Sequence, residues 1–186
     1  MSSEHFKGQY EVELKYRVQS KLEFLKVLQS MPHQVMLEDN VESDWYFDTP
    51  EQSLKANNKS LIIRDMQPSG IKLWIVKGPS ADHCEATNIT DSDAAKNMLK
   101  TMGYQVSLQA SKIRSVYFVA QYHITLDYLD DIGHFAEFAI NTDDESMLAQ
   151  YKVELIALAS QFGLTQAELE HKSYRTLIAE QILLPS

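Results

Sequence analysis

The chain announces its first element by alternation. In "YEVELKYRV", Tyr10–Val18, the residues Tyr10, Val12, Leu14, Tyr16 and Val18 form an apolar row and Glu11, Glu13, Lys15 and Arg17 a fully charged one. A period of two predicts a half-buried strand. Ordinary solvent faces mix Ser, Thr and Lys, so charge at every position of the second row leaves two readings open, a wet surface or the lining of an interior. The period then changes. "SKLEFLKVLQSM", Ser20–Met31, predicts a helix capped by Ser20 with Glu23, with Leu22, Leu25 and Leu28 as its apolar stripe.

The segments "DWYFDTP" (Asp44–Pro50), "SLIIRDM" (Ser60–Met66) and "IKLWIVKG" (Ile71–Gly78) are rich in aromatic and β-branched residues and predict strands. The "PSG" at Pro68–Gly70 makes the last two a hairpin. A strand follows around "HCEATNI", then a helix over "DSDAAKNMLKTMG", capped by Asp91 or Ser92 and stopped by Gly103. Further strands are predicted near "SKIRSVYFV", "YHITLDYL" and "HFAEFAI", then a helix from Asp144 to Phe162 closed by Gly163, with Leu148, Leu155, Leu158 and Phe162 as its packing stripe. In "TDDE", acids favour the start of that helix. A last helical piece begins near Ser173. About eight strands and four helices joined by hairpins predict an α+β fold with a mostly antiparallel sheet that curls or closes.

At 186 residues the chain suits a single domain, 1–186, with a full core. No apolar run approaches the roughly 20 residues that cross a bilayer. The opening "MSSEHFKGQ" carries no hydrophobic signal segment, and a single cysteine, Cys84, suits a reducing compartment; the expectation is a cytoplasmic protein with no membrane partner. A net charge of −9 argues against nucleic acid as the partner, but a local cluster of Lys and Arg can still attract a small anion.

The informative charges are those inside predicted strands: Glu11, Glu13, Lys15, Arg64, Lys77, Glu85, Lys112, Arg114, Asp127 and Glu137. In a closed sheet one set points inward. Closely spaced carboxylates such as Glu11 and Glu13 suit a hard divalent cation, and scattered Lys and Arg suit phosphate oxygens. The bland reading is a set of solvent-face salt bridges, but exposed pairs contribute little and leave charge at strand centres unexplained.

The same residues resemble a known family. "EVELK" matches the ExExK signature of the CYTH superfamily, the triphosphate tunnel enzymes. With it come "DWYFD", "LIIR", "WIVKGP", the Glu85 of "HCEA", "KIRSVY", "HITLD" and "GHFAEFAI", in the family's order and spacing. Within it the chain is most similar to the class IV adenylyl cyclases, through "SEHFKGQYEVELKYRV", "PSGIKLWIVKGP", "RSVYFVAQYHITLDYL" and "TDDE". The resemblance implies an eight-stranded antiparallel β-barrel, closed or nearly closed around a triphosphate tunnel with helices packed outside, a homodimer, and conversion of ATP to 3′,5′-cyclic AMP and pyrophosphate with divalent metal, Mg²⁺ or Mn²⁺, two per site.

By matching position, the resemblance assigns Glu11, Glu13, Asp127 and Glu137 to metal and Lys15, Arg64, Lys77, Lys112 and Arg114 to the triphosphate. Glu13, Lys112, Arg114 and Asp127 are the catalytic candidates; Glu85 matches an inward acid of no assigned role. His123 is a candidate general base or a structural hydrogen-bonding group. Many relatives end the last strand with a paired ExE, whereas Glu137 is followed here by Ala139. Two other readings of the same charges are a CYTH hydrolase of inorganic or thiamine triphosphate and a non-catalytic nucleotide- or polyphosphate-binding module.

Overall fold

The protein is described by a computed structural model over residues 3–185. Eight strands form one sheet: β1 (Tyr10–Val18), β2 (Gln34–Asp48), β3 (Ser60–Gln67), β4 (Lys72–Lys77), β5 (Cys84–Asn88), β6 (Gln105–Val119), β7 (Tyr122–Leu129) and β8 (Gly133–Thr142). Their order in the sheet is β1-β8-β7-β6-β2-β3-β4-β5, so the expected eight-stranded antiparallel sheet is present. The helices are α1 (Lys21–Gln29), α2 (Ser53–Ala56), α3 (Ser92–Thr101), α4 (Leu148–Gln161) and α5 (Tyr174–Ile182). Contacts divide the chain into two compact units, Met1–Asp39 with Ile113–Ser186, and Asn40–Lys112.

In the first unit, β1 pairs with β8, β8 with β7, and β7 with β6, all antiparallel. The apolar row of β1 sits where alternation predicts: Val12, Leu14, Tyr16 and Val18 are buried beside Ile124, Leu126, Ala136, Phe138 and Ile140. Over this face lie Phe24 and Leu28 of α1 and Leu155, Leu158 and Ala159 of α4. Phe138 is fully buried, and its ring meets Tyr16, Phe24 and Phe162 with centroids 5.4–6.2 Å away. Ser20 caps α1 by accepting from the Glu23 N–H. The helix is rotated from the expected stripe: Leu22 is exposed, and Phe24, one turn before Leu28, takes the buried position. An aromatic ring fills the gap above Phe138 that Leu22 would have to reach from the helix's opposite side.

In the second unit, β2 pairs with β3, β3 with β4, and β4 with β5. The β3–β4 hairpin turns at Gly70, whose φ of +74° is the left-handed conformation that favours glycine. Asp91 rather than Ser92 caps α3, accepting from the Ala94 N–H. Ala95 and Leu99 of α3 pack on Phe47, Leu61 and Ile63.

Two strands are longer than the sequence pattern suggests. β2 begins at Gln34 instead of Asp44 and β6 at Gln105 instead of Ser111. The added residues, "QVMLEDNVES" and "QVSLQA", mix apolar and polar positions and are largely exposed at their starts, so they carry no sustained apolar row to mark a strand. Replacing Phe138 by Ala is expected to lower unfolding free energy by about 3–5 kcal/mol, measured as a shift in the urea midpoint.

Candidate active site

The charged row of β1 is mostly covered rather than wet. Side chains of Lys15 and Glu11 are 9% and 15% exposed, whereas Arg17, at the strand's far end, is half exposed. Register explains the covering. Lys15 lies opposite Glu137 and Glu13 opposite Ala139 on β8; Glu137 lies opposite Thr125 on β7; Asp127 of β7 lies opposite Arg114 of β6. Glu11, Glu13, Lys15, Glu137, Thr125, Asp127, His123 and Arg114 therefore share the sheet face turned away from α1 and α4.

Arg114 is the hub of this face. Its Nε donates to Asp127 Oδ1 at 2.7 Å and its Nη2 to Asp127 Oδ2 at 2.6 Å, and the same Nη2 reaches Glu137 Oε2 at 3.0 Å. Lys15 Nζ lies 3.8 Å from the other Glu137 oxygen. Asp127, expected as a metal ligand, has no exposure, and its oxygens accept from both Arg114 nitrogens, from the Tyr174 hydroxyl at 2.7 Å and from Thr125 at 3.4 Å. His123 is buried with Nε2 3.6 Å from Glu11 Oε2 and its ring against Phe6.

The second unit repeats the device. Asp44 of β2 lies opposite Arg64 of β3. Arg64 donates to it through Nε at 2.7 Å and Nη2 at 2.9 Å. Glu42, two residues earlier and 1% exposed, forms ion pairs with Arg64 at 2.9 Å and with Lys112. Lys112 lies 3.6 Å from Asp44. Lys77 belongs to the same face, since Ser60 opposite it shares the parity of Arg64. Glu85 does not: it lies opposite Val76, on the face of Leu61 and Trp74, and is exposed. The expectation of an inward acid at Glu85 is thus corrected by strand parity.

Glu42, Asp44 and Tyr174 had no place among the sequence candidates. For the first two a signal existed, since Asn40, Glu42, Asp44 and Tyr46 alternate as a buried row; the late start predicted for this strand hid it. Tyr174 had no signal in strand periodicity, because it sits in the first turn of a helix.

Among the described residues no group of three or more His, Cys, Asp or Glu is gathered closely enough to hold a metal ion. The donor chemistry still fits a hard cation. The acids Glu11, Glu13 and Glu137 offer only carboxylate oxygens, and Mg²⁺ is typically held by one or two carboxylates with substrate phosphates and waters completing its shell.

The CYTH domain profile matches residues 9–174. The chain is 56% identical, over 100% of its own length and 97% of the relative's, to the adenylate cyclase CyaB of Aeromonas hydrophila. Among solved structures, a "putative adenylate cyclase" of Vibrio parahaemolyticus superposes with a TM-score of 0.91 at 57% identity, over 93% of this chain and 99% of that one. A protein of Pyrococcus horikoshii shares the fold, with a TM-score of 0.80 at 24% identity over 92% and 99% of the two chains. The chain belongs to the CYTH family, whose members generally use divalent metals.

Burial, followed by the charge of Asp44, raises the Tyr46 hydroxyl pKa above its ordinary 10.0. Burial, followed by the charge of Asp127, raises that of Tyr174 well above it. Both hydroxyls stay protonated at any working pH. Their contribution to stability is complete below the unfolded pKa of about 10. It is lost as pH rises from there toward the folded values, because the unfolded chain releases protons that the folded chain keeps. The urea midpoint is therefore expected to fall above pH 10, and tyrosinate absorbance from these two residues to appear only on unfolding. Tyr174→Phe should make the alkaline fall shallower.

Proposed function

We propose that the chain is an adenylyl cyclase, converting ATP to 3′,5′-cyclic AMP and pyrophosphate by attack of the ribose 3′-hydroxyl on the α-phosphorus. One observation carries the reading: two similar salt-bridge quartets have opposite surpluses. On the first unit's face the acids Glu11, Glu13, Asp127 and Glu137 outnumber Lys15 and Arg114. On the second unit's face the cations Arg64, Lys77 and Lys112 outnumber Glu42 and Asp44; the third acid of that row, Asp48, accepts from the backbone N–H groups of Thr49, Leu54 and Lys55. An acid surplus supports metal binding and a cation surplus supports phosphate binding, and a metal-dependent nucleotide reaction requires both. The full-length similarity to a protein named adenylate cyclase supports the choice of reaction.

Glu13 and Glu137, with Glu11 beside Glu13 on one face, are the residues that would hold a divalent cation, Mg²⁺ or Mn²⁺, two per site. When bound, such a cation lowers the pKa of the ribose hydroxyl and offsets charge on the departing pyrophosphate. Lys15, Arg64, Lys77, Lys112 and Arg114 bind the triphosphate oxygens. Arg64 and Arg114 are each held bidentately by an aspartate, so each guanidinium is fixed in orientation before substrate arrives, which lowers the reorganisation needed in the transition state. Asp127 acts by holding Arg114. The whole chain, 1–186, works as one catalytic domain, as a homodimer in the cytoplasm; no helix among the described residues is long and apolar enough to cross a membrane.

Incubating the purified protein with ATP and Mg²⁺ should give cyclic AMP and pyrophosphate by chromatography, and none after chelation of the metal. ADP and phosphate would instead identify a triphosphatase, and metal-independent ATP binding without product a binding module. Glu13→Ala and Glu137→Ala are each expected to lower turnover by about a hundredfold or more, with an unchanged circular dichroism spectrum.

A further inference from the structure

The segment Glu168–Tyr174, which joins the loop after α4 to α5, touches more of the charged face than a connector needs to. It runs along the edge of β1 not paired with β8. The Arg17 N–H donates to the Glu168 carbonyl and the Glu170 N–H to the Lys15 carbonyl, both at 2.8 Å, flanking an antiparallel bridge between Tyr16 and Leu169. The Glu170 carboxylate then takes the Arg17 guanidinium, 2.9 Å from Nε and 2.8 Å from Nη2, and also accepts from the Lys172 N–H at 2.9 Å. Beyond that latch, three contacts reach Lys15, assigned above to substrate, and Asp127, which holds Arg114. Lys15 Nζ donates to the Lys172 carbonyl at 3.1 Å. It also lies 4.0 Å from the centroid of the Tyr174 ring. The Tyr174 hydroxyl donates to Asp127 Oδ2, the oxygen that also accepts from Arg114 Nη2.

Ordinary packing accounts for the ring but not for the hydroxyl. Tyr174 is buried against Phe135, Leu129 and Leu177, where Phe would pack equally well. A buried hydroxyl aimed at an ionised carboxylate is placed for its hydrogen bond.

We propose that Glu168–Tyr174 is a positioning strap for phosphate binding, in which Tyr174 orients Arg114 through Asp127 and, with the Lys172 carbonyl, fixes the ammonium of Lys15. The donor from Tyr174 keeps Asp127 in the plane in which it engages both Arg114 nitrogens. A carboxylate lacking that donor turns about its own axis, and the guanidinium turns with it. Lys15, a flexible point charge, is held between a carbonyl and an aromatic face that restrict it without neutralising it. The inference rests on the reading of Arg114 and Lys15 as phosphate-binding groups.

The test is calorimetric titration of the full chain with inorganic tripolyphosphate, without metal, alongside the KM for ATP and the melting temperature. In Tyr174→Phe the tripolyphosphate dissociation constant and the KM are each expected to rise about tenfold, the loss of one hydrogen bond to a charged group. A merely structural tyrosine would lower the melting temperature while folded protein bound tripolyphosphate as the wild type does; affinity within twofold of wild type overturns the proposal. If Tyr174→Phe does not fold, Glu170→Gln, which weakens the latch to Arg17, decides: about threefold weaker binding supports the strap and unchanged binding overturns it. A wild type that neither binds tripolyphosphate nor forms cyclic AMP removes the functional reading and this inference together. A wild type that does both, with variants that match it, removes the strap alone.

Discussion

A carboxylate with no exposure to water, set in a strand between apolar neighbours, must be met by donors from adjacent strands. Asp127 is that group. Leaving its charge unpaired would cost several kcal/mol, so the register that brings Arg114 opposite it is imposed by electrostatics as much as by the turn between β6 and β7. A slip of one residue would reverse the faces, putting Asp127 among Phe138, Leu155 and their neighbours and leaving Arg114 behind. Alternation thus does two things at once: it builds the apolar core on one face and concentrates charge on the other.

The second unit solves the same problem with different strands. Arg64 and Asp44 are also directly opposite, also bidentate through Nε and Nη2, and also joined by a glutamate that bridges to a lysine. Similar quartets give similar rigidity, and buried ion pairs of this kind add little net stability against apolar replacements. Their value lies in direction, since each holds an arginine guanidinium in one fixed orientation. Chemical difference comes from what is added to the quartet, Glu11 and Glu13 in one case and Lys77 in the other.

Most of this was legible from residue patterns. Alternation placed β1 and its two rows, the "PSG" turn placed the β3–β4 hairpin, and capping residues placed α1 and α3. Strand-centre charge drew attention to Arg64, Lys112, Arg114, Asp127 and Glu137, all of which prove buried or nearly so. What alternation could not supply was partnership. It marked Asp127 as an inward acid without naming what meets it, because the donors come from β6 and from a helix almost fifty residues later. Glu85 was misread for the opposite reason: sequence order says nothing of parity relative to a neighbouring strand, and one position decides between facing Lys77 and facing solvent. Leu22 failed because a helical stripe has a width, and the ring of Phe24 faces the space above Phe138 while Leu22 lies on the far side of the helix.

Ala139 shows how closely the charge on a face is set by its smallest member. It is fully buried, opposite Glu13 on β1 and opposite His123 on β7, at the centre of the charged face. A glutamate there, as in the paired ExE of many relatives, would stand beside Glu13 and Glu137 with Lys15 and Arg114 already committed to Glu137 and Asp127. A methyl group avoids the added repulsion and leaves room next to Glu13. The face then keeps an acid surplus that suits the proposed metal, held jointly with substrate oxygens rather than caged by protein alone.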